Sequence, residues 1–218
     1  MPATPVRKGD TDRRQLLIDA ARELFAKRAY DQVTTSEIAK NAGVAYGLIA
    51  HHFDTKRGLY LAVMQEISAE LTAHQLIPAP EGSSLAEQLR HALRNHISYI
   101  DQYSDSFMAL VRGELGVDPE RRDAVEELRW LGAQRVLLAV GIIGPVPPVL
   151  RTAMHGWVGY LDEMMIDRIA NHDTTVDAIV ELAVAALVTT LRVSTSLDPS
   201  IALTPETLGA LDTFPARG

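Results

Sequence analysis

The residues able to do chemistry in this chain do not assemble into a catalytic pattern. There are no cysteines, which removes thiol nucleophiles, disulfides and thiolate metal sites. No Gly-x-Ser-x-Gly turn, glycine-rich phosphate loop or His-Glu-x-x-His spacing occurs. His51 and His52 are neighbours, and neighbours on a helix diverge by about 100°, so the two rings do not converge on one ion. Three or four positions from either, only Asp54 is a ligand type. His91 and His96, five apart, are equally poor as a helical chelate. The plentiful carboxylates read as solvated helix faces. The expectation is a protein without metal, cofactor or enzymatic activity.

The informative residues lie between Thr34 and Phe53. Thr34 followed three positions later by Glu37 is a capping box and opens a helix. Ile38, Ala39 and Ala42 give that helix a small apolar face, and Gly43 ends it in a tight turn. A second helix restarts around Ala45; its Ile49 and Phe53, four apart, share one face and pack back onto the first. Gly47 and His51 then point away from the core, with Tyr46 and Ala50 on one shoulder and Leu48 and His52 on the other. Two short helices hinged at a glycine, with a free outer face, are a helix-turn-helix.

Residues around this motif extend the pattern. Leu17-Ile18-Asp19-Ala20-Ala21-Arg22-Glu23-Leu24-Phe25-Ala26-Lys27-Arg28, then Tyr30, Thr34-Thr35, Ile38-Ala39, Ala42-Gly43-Val44, Gly47, His52-Phe53, Lys56 and Leu59-Tyr60-Leu61 resemble the amino-terminal domain of TetR-family transcriptional regulators. The resemblance implies that the second short helix enters the DNA major groove with Tyr46, Gly47, Leu48, His51 and His52, and Ala45 at its entry. It also implies that Thr34, Thr35 and Lys56 sit near phosphates. The sequence departs from the family pattern at Tyr46, Leu48 and Ala50, where a polar group, a small hydroxyl residue and an aromatic are usual. Ala45 and Leu48 suit thymine methyls, whereas Tyr46 and His51 suit phosphates or base edges.

The charge distribution agrees with this placement. The net charge of −7 divides into +3 over residues 1–60 and −10 over the remainder, so positive charge lies beside the helix-turn-helix. With 47% hydrophobic and 22% charged residues the chain reads as globular and soluble. The amino terminus lacks an apolar run after Arg7-Lys8, so it does not read as a secretory signal. The expected location is the cytoplasm, with no membrane partner.

The elements that must position these residues are all helical. Asp10 or Thr11 is expected to cap a first helix carrying Leu16, Leu17, Ala20, Ala21, Leu24 and Phe25, with Arg13 and Arg14 at its start. Asp54 or Thr55 caps a long helix from Lys56 to about Leu76, which Pro78-Ala79-Pro80 breaks. Helices follow over 84–104, 106–115 and, opened by Asp118-Pro119, to about Val140. After the break Gly144-Pro145-Val146-Pro147-Pro148, two final helices span 149–171 and 174–193. The last is apolar nearly all round between Val176 and Val188, which calls for burial on two sides. The family resemblance implies that these two helices form a homodimer bundle.

The fold expectation is therefore all-α: a three-helix helix-turn-helix domain over 1–55, an effector-binding and dimerisation domain over 56–195, and a flexible tail over 196–218, about nine helices in total. The resemblance implies an effector pocket in the second domain. Its candidates are His96, Tyr99, Tyr103, Phe107, Met108, Arg112, Trp130, Trp157, Tyr160 and Met164, aromatic or polar residues on apolar stripes. Aromatic walls with few polar anchors suit a hydrophobic small molecule, and a buried Arg112 would need an anionic partner such as Glu114, Glu163 or the ligand. The functional expectation is a ligand-responsive repressor binding a palindromic double-stranded DNA operator as a homodimer. The alternative is a small helical enzyme or ligand carrier whose helix-turn-helix is structural.

Overall fold

The computed structural model describes residues 8–113 and 119–211. Ten helices are present among them, with no strand: α1 (Lys8–Lys27), α2 (Thr35–Asn41), α3 (Gly47–Phe53), α4 (Lys56–Gln75), α5 (Leu85–Gln102), α6 (Ser104–Gly113), α7 (Pro119–Ala139), α8 (Pro148–Asn171), α9 (Val176–Leu197) and α10 (Pro205–Leu211). A single turn of 3-10 helix, Tyr30–Gln32, joins α1 to α2. No described helix is long and apolar enough to cross a membrane. The chain divides into two compact units. One holds Met1–Glu70 with Tyr103–Val125, the other Leu71–Gln102 with Glu126–Gly218.

The first unit is built on the apolar stripe of α1. Leu17, Ile18, Ala21 and Phe25 are buried with Val33, Ile38, Ile49, Phe53, Leu59 and Val63. Phe25, Tyr30 and Tyr60 form a three-ring cluster with centroids 5.2–5.5 Å apart. Flanking that stripe on α1, Arg22 makes a two-point ion pair with Glu70 at 2.7 and 2.8 Å, and its guanidinium lies 5.0 Å from the Tyr103 ring. This paired arginine fixes α6, which follows Tyr103, against α1.

The second unit has α9 at its centre. Ile179, Val180, Ala183, Val184, Leu187, Val188 and Leu191 are buried, as are Leu150, Met154, Trp157, Leu161 and Met165 of α8. Trp157 donates its indole N–H to the Ala183 carbonyl at 2.9 Å, so the one polar atom of this large ring is satisfied inside the core. Bidentate Arg90–Glu181 (2.7 and 2.9 Å) and Arg94–Asp177 (2.8 Å) tie α5 to α9, and Arg168–Asp101 (2.7 Å) ties α8 to α5.

Three expectations are corrected. The first helix already runs at Lys8, so Asp10 and Thr11 lie inside it rather than capping it. The supposed flexible tail contains α10, and it buries Ile201 and Leu211. The proline spacing that suggested a tail instead places Pro205 at the first position of a helix, where a missing N–H costs nothing. Finally, the units do not divide near residue 55, because residues 103–125 belong with the helix-turn-helix. The expected cap at Asp118 lies outside the described residues.

The junction of α3 and α4 leaves no room for a side chain at Gly58. A Cβ there would lie 2.1 Å from the Phe53 carbonyl oxygen and 3.2 Å from its carbon, both backbone atoms that cannot swing aside. We expect Gly58→Ala to destabilise the first unit by about 1–3 kcal/mol. Denaturant unfolding followed by circular dichroism would show it, and an unchanged midpoint would refute this account of the junction.

Candidate nucleic-acid interface and ligand cavity

The helix-turn-helix assembles from local rules. Thr34 caps α2 with both arms of the capping box in place: its hydroxyl accepts the Glu37 N–H at 3.2 Å, and the Glu37 carboxylate accepts the Thr34 N–H at 2.8 Å. Hydrogen bonds from the Thr34 backbone and hydroxyl, with Arg28 at 3.0 Å, hold the Glu37 carboxyl down at about 2. Gly43 turns the chain with φ +66°, a conformation that favours glycine. Ile49 and Phe53 face the core, as their four-residue spacing requires.

What remains is an open face. Ala45, Tyr46, Gly47 and His51 are exposed, and Leu48 and His52 are half-buried. Tyr46 is 61% exposed, and its hydroxyl lies 3.4 Å from that of Thr35, so α2 and α3 together present a pair of hydroxyls. The His51 and His52 rings meet edge to face at 4.8 Å. Among the described residues, no group of three or more metal-ligating side chains exists.

Lys56 has a use that its sequence position did not reveal. Its ammonium donates to the Tyr30 carbonyl at 2.6 Å and sits 4.0 Å from the Tyr30 ring centroid. It thereby anchors the start of α4 to the aromatic cluster. Arg14 likewise lies over the Phe53 ring, 5.2 Å from its centroid, where α3 ends. Gly58 and these two cation–ring contacts were missed because each depends on a partner far along the chain or on backbone geometry. The only sequence signal was a glycine early in a helix, where glycine is unfavourable.

The candidate effector residues scatter. Tyr103, Phe107 and Met108 belong to the first unit, where Tyr103 receives Arg22. The Arg112 side chain and Glu114 lie outside the described residues. In the second unit Tyr99 is buried against His74 (4.8 Å), and Trp130 stacks on His155 at 5.0 Å. Trp157 is core, Tyr160 is exposed and Met164 is half-buried. Of these candidates, His96 lines a cavity in the second unit.

That cavity has a volume of about 530 Å³, inside the range of about 300–1,000 Å³ usual for small-molecule sites. It lies between the end of α4 and the following loop, α5, and the last turns of α7, with Ile77, Leu89, Leu93 and Val136 among its walls. Three polar residues of the lining form a chain. Arg135 donates to Gln75 Oε1 at 2.6 Å, and Gln75 Nε2 lies 2.8 Å from His96 Nδ1. Since a guanidinium only donates, Gln75 Oε1 must accept; its NH₂ therefore faces the histidine, and Nδ1 must be the unprotonated nitrogen. Burial, and secondarily the Arg135 charge, push the imidazole down to about 4. His96 is neutral at pH 7, with its proton on Nε2.

Residues 17–63 match the family model for bacterial regulatory proteins of the tetR family, and residues 85–191 match the tetracyclin repressor-like C-terminal domain. The chain belongs to the TetR family of transcriptional regulators. It is similar to the HTH-type transcriptional regulator BetI of Escherichia coli, 38% identical over 84 residues. That match spans 37% of this chain and 42% of the relative, less than half of either. The fold is similar to that of a tetR-family regulator from Streptomyces coelicolor, with TM-score 0.69 and 25% identity, covering 95% of this chain and 88% of that one. FadR from Bacillus subtilis in complex with stearoyl-CoA shares the fold at TM-score 0.59 and 21% identity, covering 81% and 96%. The family membership thus accounts for a helix-turn-helix DNA-binding domain joined to a helical C-terminal domain.

The neutral His96 has a consequence for pH. Its folded value near 4 lies below the ordinary 6.5, so between those values the unfolded chain binds more protons. Stability is complete above about pH 6.5 and is lost as pH falls toward 4. The contribution is at most about 3 kcal/mol, at about 1.4 kcal/mol per unit. Thermal unfolding at pH 7 and 4.5 should show a larger loss for the native chain than for His96→Gln. Equal losses would contradict a buried neutral imidazole.

Proposed function

We propose that this TetR-family regulator is a homodimeric, ligand-responsive repressor that reads operator DNA with the exposed face of α3. The observation that carries the reading is that face itself. Ile49 and Phe53 are buried while Tyr46, Gly47 and His51, on the same short helix and its entry, are open to solvent. In the proposed complex Tyr46 and His51 supply hydrogen bonds, Ala45, Leu48 and the open Gly47 allow close approach to thymine methyls, and Thr35 stands beside Tyr46 at the rim. Thr34 and Lys56 act by holding α2 and α4 in place, through the capping box and the Tyr30 carbonyl.

A second copy of the chain covers α8 and α9 in this reading. On α9, Ala178, Leu182, Thr189, Val193 and Leu197 are exposed at intervals of four or seven, which places them on one face. Leu182 is 49%, Val193 50% and Leu197 68% exposed, and Tyr160 of α8 is 41% exposed. The apolar character of α9 on two sides is explained if one side is the unit's own core and the other a partner's. Two reading heads about 34 Å apart then fit successive major grooves of a palindromic site.

The cavity beside Gln75, His96 and Arg135 is the proposed effector site. Its apolar walls agree with a hydrophobic ligand, and the likeness in fold to FadR in complex with stearoyl-CoA supports that reading. Effector binding shifts the population toward a state that no longer fits both half-sites, by the ratio of its affinities for the two states.

The test is selection of bound fragments from genomic DNA, followed by anisotropy titration at several salt concentrations. Binding should weaken linearly on a log–log scale as salt rises. The double substitution Tyr46→Ala, His51→Ala should reduce affinity at least tenfold with an unchanged unfolding midpoint. Unchanged affinity would remove α3 from the contact. Sedimentation should give a dimer for the native chain and a folded monomer for Leu182→Arg with Val193→Arg; a persistent dimer would place the interface elsewhere.

A further inference from the structure

The polar chain in the cavity has a directional chemistry. Gln75 Oε1 accepts from Arg135, and His96 Nδ1 accepts from Gln75, so both acceptors of the chain are occupied by its own members. Apart from a second lone pair and a second amide N–H on Gln75, the groups left over are donors: the remaining guanidinium N–H groups of Arg135 and the Nε2–H of His96. Neither residue makes another hydrogen bond or ion pair among the described residues. In particular, no described carboxylate lies within ion-pair distance of Arg135, although the residue is half-buried. The other arginines that cross between helices of this unit, Arg90, Arg94, Arg129 and Arg168, each have an acidic partner at 2.7–2.8 Å.

A partly desolvated guanidinium without a counter-charge is costly to hold. The walls near it offer none: Leu89, Leu93 and Val136 are apolar, and Glu81 is an exposed loop residue of the lining. Exposed Leu76 and Ile77 continue the apolar lining to the surface. The site therefore combines a cationic, donor-rich anchor with a mainly apolar volume of about 530 Å³.

We propose that this cavity is a receptor for an aliphatic carboxylic acid bound as its carboxylate, with Arg135 as its ionic anchor and His96 Nε2–H as a second donor. The inference rests on the reading of this cavity as the effector site and adds the ligand's chemical class. Carboxylate geometry matches the guanidinium fork, which a neutral alcohol of equal length cannot exploit.

The discriminating probes are decanoate and decanol, titrated calorimetrically into the full-length protein at pH 7.5. Decanoate should bind at least tenfold more tightly. Arg135→Met should lose that preference, leaving the two probes within about twofold. Gln75→Glu gives an independent variant, because its carboxylate would pair with Arg135 inside the cavity; decanoate binding should fall at least tenfold while decanol binding stays. Circular dichroism confirms the fold of both variants, and Arg135→Lys, which retains the charge, should keep part of the preference. Equal binding of the two probes by the native protein, or no decanoate binding, overturns the proposal. So does a decanoate preference that both folded variants retain. The selected DNA fragment separates this result from the effector reading. Decanoate that binds through Arg135 but leaves DNA bound supports the carboxylate site and removes its role in release. Release of DNA by decanol and decanoate alike supports an effector cavity and overturns its acid specificity.

Discussion

The geometry of the reading head depends on one backbone contact, the approach of Gly58 to the Phe53 carbonyl. No side chain can stand between these atoms, so the end of α3 is held against the first turn of α4. Asp54 makes the sharp link with φ 61°, and the Thr55 hydroxyl accepts the Gly58 N–H at 3.0 Å to cap α4. With that angle set, Phe53 and Ile49 have one way to face, into the core beneath α1. The opposite face of α3 is exposed as a consequence. Lys56 reinforces the junction by joining α4 to the Tyr30 carbonyl, and its ammonium lies over the Tyr30 ring while doing so.

A second constraint organises the other unit. Most of its charged groups that bridge helices are matched, as Arg90 to Glu181 and Arg168 to Asp101. Such pairs specify which helix faces meet more than they add stability, since desolvation offsets much of the attraction. Against that background the Arg135–Gln75–His96 chain is unusual, because it contains a cation and two neutral groups and no anion. Gln75 is the last residue of α4, and Arg135 lies in the final turns of α7.

Much of this was legible in the sequence because it is local. The capping box at Thr34 and Glu37, the turn at Gly43 and the inward pair Ile49 and Phe53 follow from spacings of three or four residues, which helical geometry dictates. The apolar circumference of α9 was also readable, and its buried side proved to be the unit's core. What the sequence hid is long-range pairing. Gln75 meets Arg135 across sixty positions, and no periodicity within either helix points to the other. The same reason left the surroundings of Tyr103, Phe107 and Met108 unread: an aromatic on an apolar stripe looks alike whether it faces a cavity or another helix. The Lys56 contact was hidden in a related way, since a basic residue at a helix start carries no sign of the Tyr30 carbonyl that it reaches.

The proposed DNA reading and the proposed dimer support each other quantitatively. A head of formal charge +3 in a chain of −7 neutralises few phosphates, and each neutralised phosphate contributes about one unit to the salt slope. The exposed reading face adds only a few polar groups, Tyr46, His51 and the neighbouring Thr35. Alone, such a head would bind weakly and with little preference. Joined to a second head through the open face of α9, its binding becomes intramolecular once the first half-site is engaged, and the effective concentration reaches the millimolar range for suitable spacing. The sparse chemistry of α3 is then sufficient, and it also makes the complex easy to release. Any ligand that disfavours simultaneous engagement removes the avidity on which a weak head depends.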